Sequence, residues 1–260
     1  MLETIRGHLY DYPQYYDLVF GSDWQAEFRF LRAGLARYAE RKVRSIFEPA
    51  CGTGRLLVRF AKLGLKVSGL DLNEKAIEYC NDRLKRAGYK ETAFVGDMTD
   101  FQLKKPADAA FNMINSFRHL VSEEQARNHL RCMAEAVAPG GLYFLGLHLT
   151  PTRGEAMEEE TWSARRGHLV VNSRLWTKRV DLKRRAETLG LWFDIYTPTR
   201  QFRIEDETSF RTYTAAQMTE LIASEPKWEI AATHDFAYRI AQPITITPST
   251  QDVVYVLRRK

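Results

Sequence analysis

The chain has 260 residues, 45% of them hydrophobic and 12% aromatic, which suits one large folded domain or a domain with a sizeable insertion and excludes a disordered chain. The net charge is +5, a mild basicity compatible with an acidic substrate or loose nucleic-acid contact and equally common among plain enzymes. Cys51, Cys80 and Cys132 are far apart, with no C-x-x-C pair and no His cluster, so neither a disulfide framework nor a metal site is expected. The first residues lack a signal-like apolar core, and no apolar run approaches the roughly 18–20 residues of a membrane span. The expectation is a soluble, cytoplasmic protein.

In chain order, residues 22–42 have helical spacing, with Trp24, Phe28, Leu31, Leu35 and Tyr38 on one face and a capping-box spacing from Ser22 to Gln25. "VRSIFEP" (43–49) reads as a strand, "TGRLLVRFAKLG" (53–64) as a helix and "KVSGLD" (66–71) as a strand. A helix over 73–88 is capped by Asn73 and stopped by Gly88. Strands follow at 92–97 and 108–114. A helix over 122–141 carries a capping box, Ser122 to Gln125, and a Pro-Gly-Gly stop, and "LYFLGLHL" (142–149) is the fifth strand. This alternation implies an α/β fold, a parallel sheet with helices on both faces.

The alternation breaks after residue 150. Residues 151–213 read as antiparallel strands; "LWFDIY" (191–196) alternates Leu191, Phe193 and Ile195 against Trp192, Asp194 and Tyr196. A helix over 214–224, with a capping box from Thr214 to Gln217, and strands over 227–236 and 252–259 complete the chain. Three parts result: an N-terminal helical cover (1–42), a core (43–150 and 214–260) and a β-rich insertion (151–213). An insertion at that place lies over the carboxyl edge of the strands, where open α/β sheets bind ligands. It serves as a lid or acceptor platform, or as a structural extension or dimer surface; the chain is expected as a monomer or homodimer.

The first βα turn, "EPACGTGRLL" (48–57), holds Gly52 and Gly54, where the absence of Cβ lets backbone turn tightly and touch a ligand. The dinucleotide fingerprint fails, because its third glycine position is Leu57, and no phosphate-binding P-loop pattern occurs. Asp71 ends the next strand, 17 residues beyond Gly54, where a carboxylate accepts hydrogen bonds from ribose hydroxyls or caps a turn. In "GDMTDF" (96–101), Asp97 is placed to take an adenine amino group and Met98 to pack on the ring, unless they are an ordinary loop acid beside a core Met. Cys51, inside the turn, reads as a small filler rather than a nucleophile.

"EPACGTGR", "GLDLN", "GDM" and "APGGLYFL" together resemble the successive motifs of class I S-adenosylmethionine-dependent methyltransferases, over residues 43–149 and weakly over 214–259. The resemblance implies a Rossmann-like, doubly wound, seven-stranded sheet, here with an antiparallel β insertion after the fifth strand. It implies S-adenosylmethionine as cofactor and S-adenosylhomocysteine as product. Glu48, Ala50, Gly52 and Gly54 would line the methionine and ribose, Asp71 would bind ribose with Leu72 on adenine, Asp97 and Met98 would hold adenine, and Asn115 would lie beside the methionine amino group and sulfonium.

Exclusions narrow the acceptor. "NMINSFRHL" after the fourth strand lacks [ND]-P-P-[YF], has no cysteine for cytosine chemistry, and no acidic cluster suggests a magnesium-dependent catechol enzyme. "NSFRHL" (115–120) resembles the small-molecule N-methyltransferase subgroup, which makes His119 a base, an acceptor-orienting group, or a helix-start His that only packs. His148, ending the fifth strand, is a second catalytic candidate. "YDYPQYYDLVFGSDW" also resembles that subgroup, where an N-terminal Tyr closes over the cofactor; Tyr15, Tyr16 and Trp24 are candidates to cover the sulfonium, or core aromatics of an amphipathic helix. Arg165, Arg166, Arg174, Lys178, Arg179, Lys183, Arg184 and Arg185 face only Asp181 along the sequence, a strip for nucleic acid or the solvated face of a sheet. The expected function is methyl transfer to a small-molecule amine. RNA methylation through the basic insertion and a non-catalytic cofactor-binding scaffold stay open.

Overall fold

The computed structural model describes residues 2–154 and 159–260; Met1 and residues 155–158 of the expected insertion lie outside the described residues. The N-terminal segment is not helical throughout. It opens with a strand, β1 (Glu3–Arg6), before a 3-10 turn (Leu9–Asp11) and the helices α1 (Pro13–Phe20) and α2 (Gln25–Tyr38). The Ser22–Gln25 capping box does not form: Trp24 is the N-cap, and the Ser22 hydroxyl instead donates to the Val19 carbonyl at 3.3 Å.

Core elements follow in alternation: β2 (Ser45–Pro49), α3 (Leu57–Lys62), β3 (Lys66–Asp71), α4 (Glu74–Arg86), β4 (Ala93–Val95), β5 (Ala107–Asn112), α5 (Glu123–Ala136) and β6 (Val137–His148). Helix α3 starts four residues later than its pattern predicts because Gly54 takes a left-handed φ of 64°, which no helix propagates. Strand β6 begins five residues early. It absorbs the Pro-Gly-Gly through a register shift against β5 between Ala107 and Ala109, and a Cβ at Gly141 would lie 2.5 Å from the Asp108 carbonyl.

After the insertion strands β7 (Glu159–Arg166), β8 (Leu169–Asp181), β9 (Ala186–Tyr196) and β10 (Gln201–Arg211), the core resumes with α6 (Ala215–Ala223), β11 (Trp228–His234) and β12 (Asp252–Arg259). The core sheet runs β11-β12-β6-β5-β2-β3-β4, parallel from β6 to β4, with β12 running antiparallel between β6 and β11. Period-2 alternation sends Tyr143, Leu145 and Leu147 of β6 into the layer under α5 and α6, and Leu142 and Phe144 into the layer under α2, α3 and α4. Phe47, Phe111 and Phe144 are fully buried, and each such side chain contributes about 1.5–3 kcal/mol. Strand order reverses at β2, with β3 on one side and β5 on the other, so the loops leaving β2 and β5 part and open a crevice at the carboxyl edge.

The second sheet runs β1-β10-β9-β8-β7, antiparallel except that β1 joins β10 in parallel, Glu3 opposite Phe202. Its inner residues Val171, Phe193, Ile195, Phe202 and Ile204 pack with Leu9, Leu18 and Val19, so the N-terminal segment and the insertion share one apolar cluster. Leu191, Phe193 and Ile195 belong to this layer as their alternation predicts, while Asp194 on the other face takes a two-pronged hydrogen bond from Arg203 (2.6 and 2.8 Å). The second sheet is tied to the core by Arg118, which is buried and ion-paired with Glu187, and by Arg185 and Arg211, both on Glu123.

The basic strip is smaller in space than along the sequence. Arg166 meets Asp17, Arg174 meets Glu159, Lys178 meets Glu207, Arg184 meets Asp181 and Arg185 meets Glu123. Five of the eight cations therefore have a carboxylate partner, two across strands, two from helices and one within the same turn. No helix among the described residues is long and apolar enough to cross a membrane, and among them no group of three or more His, Cys, Asp or Glu is arranged to hold a metal ion.

Candidate active site

At the carboxyl end of β2 the chain turns through left-handed backbone at Ala50 (φ 51°), Gly52 (φ 50°) and Gly54 (φ 64°). The two glycines are bare for different reasons. A Cβ on Gly52 would meet nothing within 4 Å, which leaves an open cradle. A Cβ on Gly54 would sit 2.3 Å from Cys80 Sγ, so Gly54 lets α4 close on the loop rather than exposing backbone to a ligand. Cys51 is buried against Gly69, and its thiol is pushed well up by the Cys80 side chain and by burial, as suits a filler.

Asp71 accepts from the Gly52 amide at 2.9 Å through one carboxylate oxygen and from the Asn73 amide at 2.9 Å through the other. Each oxygen keeps a lone pair for a further donor, and burial raises the carboxyl above the usual range. Leu72 beside it is 70% exposed, an apolar side chain left in water. Asp97 folds back on Thr99, accepting from its amide and hydroxyl at 2.8 Å each. Met98 does not stand free as an adenine-facing side chain: it is buried in the core layer, and its carbonyl accepts from His129 Nδ1 at 2.9 Å.

Glu48 is buried at the end of β2, its carboxyl raised well above the usual range by burial, and Oε2 has no hydrogen-bond partner. Arg55 follows the second glycine and lies next to it electrostatically. Arg55 binds Glu27 Oε2 through Nη2 at 2.6 Å, while its Nη1 and Glu27 Oε1 are unpartnered. An orphaned acceptor and an orphaned guanidinium donor beside an open glycine cradle fit a ligand end that carries both an ammonium and a carboxylate. Sequence reasoning missed Arg55; its signal was its place directly after the glycine pair.

The N-terminal segment is pinned onto this loop by three polar ties. Asp17 accepts from Thr53 Oγ1 at 3.0 Å and from Arg83, Asp11 accepts from Asn73 Nδ2 at 2.7 Å, and Glu27 holds Arg55. Tyr16 is thereby held near Arg55 and Asp71, with burial raising its phenol to about 12. Tyr10, also missed from sequence, packs on Tyr16 with ring centroids 5.2 Å apart and feels Asp71. Trp24 and Tyr15 are placed elsewhere. Arg59 covers the Trp24 ring at 3.3 Å, Phe28 flanks it, and Tyr15 packs on Tyr12 and Phe202 in the second-sheet cluster.

On the β5 side, Ile114 (φ 52°) and Asn115 (φ 69°) adopt left-handed backbone, a costly conformation for a β-branched residue. Asn115 Oδ1 accepts from the His148 amide at 2.8 Å, which locks the loop after β5 to the end of β6. His119, at the end of the following 3-10 turn (Ser116–His119), has Nε2 2.9 Å from the Tyr10 hydroxyl and its ring edge-on to Phe210. Burial, helped by nearby His8 and Arg118, lowers its pKa to about 4, so it is a neutral imidazole near pH 7 and a weak base. His148 Nδ1 lies 2.7 Å from Asp252 Oδ1, and its ring meets Phe236. The structure therefore gathers Glu48, Gly52, Asp71, Tyr16 and the unforeseen Tyr10 and Arg55 around the β2 crevice. His119 joins them through Tyr10, and Asn115 and His148 lie along its β5–β6 side.

Residues 46–141 match the family model described as a methyltransferase domain. Among curated proteins, a dTDP-3-amino-3,4,6-trideoxy-alpha-D-glucopyranose N,N-dimethyltransferase from Streptomyces venezuelae is 33% identical over 135 residues, 51% of this chain and 55% of that one. A dTDP-4-amino-2,3,4,6-tetradeoxy-D-glucose N,N-dimethyltransferase from Saccharopolyspora spinosa is 31% identical over 147 residues, 54% of this chain and 55% of that one. The chain thus spans about half the length of the curated relatives it matches. Among solved structures, an S-adenosylmethionine-dependent methyltransferase from Clostridium acetobutylicum superposes with a TM-score of 0.79 at 12% identity, over 97% of this chain and 99% of that one. An amino pentose methyltransferase from Micromonospora echinaspora, solved with S-adenosylmethionine bound, gives a TM-score of 0.73 at 19% identity over 100% of both chains. Residues 46–141 thus carry a methyltransferase-domain pattern, and the chain shares its fold with these solved structures.

Proposed function

We propose that this chain, whose residues 46–141 form a methyltransferase domain, transfers a methyl group from S-adenosylmethionine to an amine nitrogen of a small molecule. The observation that carries the reading is the open cradle at Gly52, set between the Asp71 carboxylate and the unpartnered atoms of Glu48 and Arg55. The bound cofactor supplies an electrophilic methyl on a sulfonium. Glu48 and Arg55 hold its amino-acid end, Asp71 its ribose, and Leu72 and Asp97 flank its adenine, with Ala50 and Gly52 as the backbone cradle and Asn115 at the β5 edge. Gly54 and Met98 act one layer further out, by keeping that cradle packed.

In-line displacement asks chiefly for alignment and a site closed to water. Tyr10 and Tyr16 close the site from the N-terminal segment, and Tyr16 lends an aromatic face to the cationic centre. His119 orients the acceptor together with Tyr10, because a buried imidazole with a pKa near 4 retains no proton taken from an ammonium. The acceptor class we infer is the amino sugars, a reading supported by the relatives' names. The cross-strand neutralisation of the insertion favours a small acceptor over RNA.

Isothermal calorimetry with S-adenosylmethionine and S-adenosylhomocysteine tests the cofactor, with binding of each near one equivalent expected. Methyl transfer to dTDP-3-amino-3,4,6-trideoxy-alpha-D-glucopyranose, read by mass spectrometry, tests the acceptor class, with tRNA as comparator. Binding of neither cofactor form, or transfer to tRNA alone, overturns the reading.

A further inference from the structure

We propose that His148, oriented by Asp252 and flanked by Glu160, is the base that takes the proton from the acceptor amine; this rests on the amine-methylation reading above. Three separate elements bring the residues together. His148 ends β6, Asp252 begins β12 as its cross-strand partner, and Glu160, on β7 of the second sheet, feels the charges of both. The cluster therefore sits where the core sheet meets the insertion, on the β6 flank of the crevice.

The ring of His148 is fixed on several sides. Nδ1–H donates to Asp252 Oδ1 at 2.7 Å, Phe236 meets the ring edge-on at 5.1 Å, and the backbone amide is held by Asn115 at 2.8 Å. Nε2 has no hydrogen-bond partner among the described residues, and the side chain is 23% exposed, so a small molecule reaches it. Donation from Nδ1 fixes the tautomer and leaves the Nε2 lone pair free to accept a proton. The ionisable groups facing this cluster are Asp252 from β12, Glu160 from β7 and Tyr238 from the loop before β12. Burial raises the Glu160 carboxyl, on which His148 and Asp252 both act, and raises the Tyr238 phenol, which feels Asp252.

An amine reacts through its lone pair, so the nitrogen must shed a proton. The lone pair forms the N–C bond, the S–C bond breaks with its electron pair passing to sulfur, and the N–H proton passes to His148 Nε2. The resulting imidazolium keeps its Nδ1–H on the Asp252 carboxylate. His119 is not suited to this step: its Nε2 is engaged by Tyr10 and its burial disfavours the cation. Asp252 acts through His148 and is a positioning residue.

The test uses the full chain. Nitrogen-15 NMR of the wild type is expected to show His148 protonated at Nδ1 and bare at Nε2, with that tautomer lost in Asp252→Asn. With dTDP-3-amino-3,4,6-trideoxy-alpha-D-glucopyranose as acceptor, His148→Ala is expected to lower kcat about 100-fold, with added imidazole restoring part of the rate. Asp252→Asn lowers kcat with little change in KM and alters the acid limb of its pH profile, and Asp252→Glu recovers part of the loss. S-adenosylhomocysteine affinity stays within about twofold in every variant, which separates this role from cofactor binding. Full kcat in His148→Ala, or an Nε2–H tautomer in the wild type, overturns the proposal. Failure of the wild type to bind S-adenosylhomocysteine, or to methylate the amino sugar while binding it, overturns instead the reading on which it rests.

Discussion

The Tyr10 hydroxyl lies 2.9 Å from His119 Nε2, joining two residues 109 positions apart. Tyr10 comes from the N-terminal segment and His119 from the turn after β5, so this bond closes the crevice between them. Burial keeps the Tyr10 phenol well above its ordinary pKa and His119 well below its own, so both are neutral across the working range. Tyr10→Phe and His119→Ala are accordingly expected to lower kcat/KM for the amine by about 10–100-fold through lost alignment. The pH profile should keep its shape in both variants. An acid limb that vanishes in His119→Ala would show that His119 titrates as the base.

The two glycines of the loop should separate affinity from stability. Gly52→Ala meets no neighbour, so its cost is the left-handed backbone, about 1–2 kcal/mol. It fills the cradle and should weaken S-adenosylhomocysteine binding at least about tenfold. Gly54→Ala carries the same backbone cost plus a clash with Cys80, a further loss of about 1–3 kcal/mol. Adding Cys80→Ala should return part of that stability. Urea denaturation and calorimetry on the three variants check both statements.

Asp17 joins the N-terminal segment to the loop through Thr53 and Arg83. Burial alone would raise its carboxyl, but Arg83 and Thr53 hold it below the usual range. Asp17→Ala leaves Arg83 without its partner in a largely buried setting and should cost about 3 kcal/mol. The released segment should then be cut within residues 1–42 by trypsin at concentrations that spare the wild type. Equal protease resistance would show that the apolar cluster alone holds it.

His129 is fully buried, donating from Nδ1 to the Met98 carbonyl and accepting from the Tyr143 hydroxyl, and burial lowers its pKa to about 4. The unfolded chain binds this proton near pH 6.5 and the folded chain only near pH 4. The stability that neutral His129 contributes is therefore complete above about pH 6.5 and lost as pH falls toward 4, up to about 3 kcal/mol. Urea midpoints should fall steadily over that window, with His119 adding to the slope. A flat profile from pH 7 to 4.5 would contradict the buried neutral state.

What the sequence determined by itself was local in origin. Asn73 accepts from the Ala76 amide, and Ser122–Gln125 and Thr214–Gln217 form their capping boxes, because each partner lies three residues away. The βα alternation, the loop bearing Gly52 and the Asp71 position follow from periodicities of 2 and 3.6 and from one short turn. Where a local pattern had a competitor it failed: Ser22 turned to the Val19 carbonyl, and Gly54 delayed α3.

What only the tertiary structure decided depends on distance through space. β1 pairs with a strand about 200 residues away, which joins the N-terminal segment to the insertion. Trp24 and Tyr16 read alike as aromatic covers, yet Arg59 occupies one ring and the other is set beside Asp71. The basic strip is charged when counted along the chain and largely paired when neighbours in space are counted. Coulomb energy and close packing act between neighbours in space, so the partners of Arg55, His119 and His148 became visible only once folding had brought Glu27, Tyr10 and Asp252 to them.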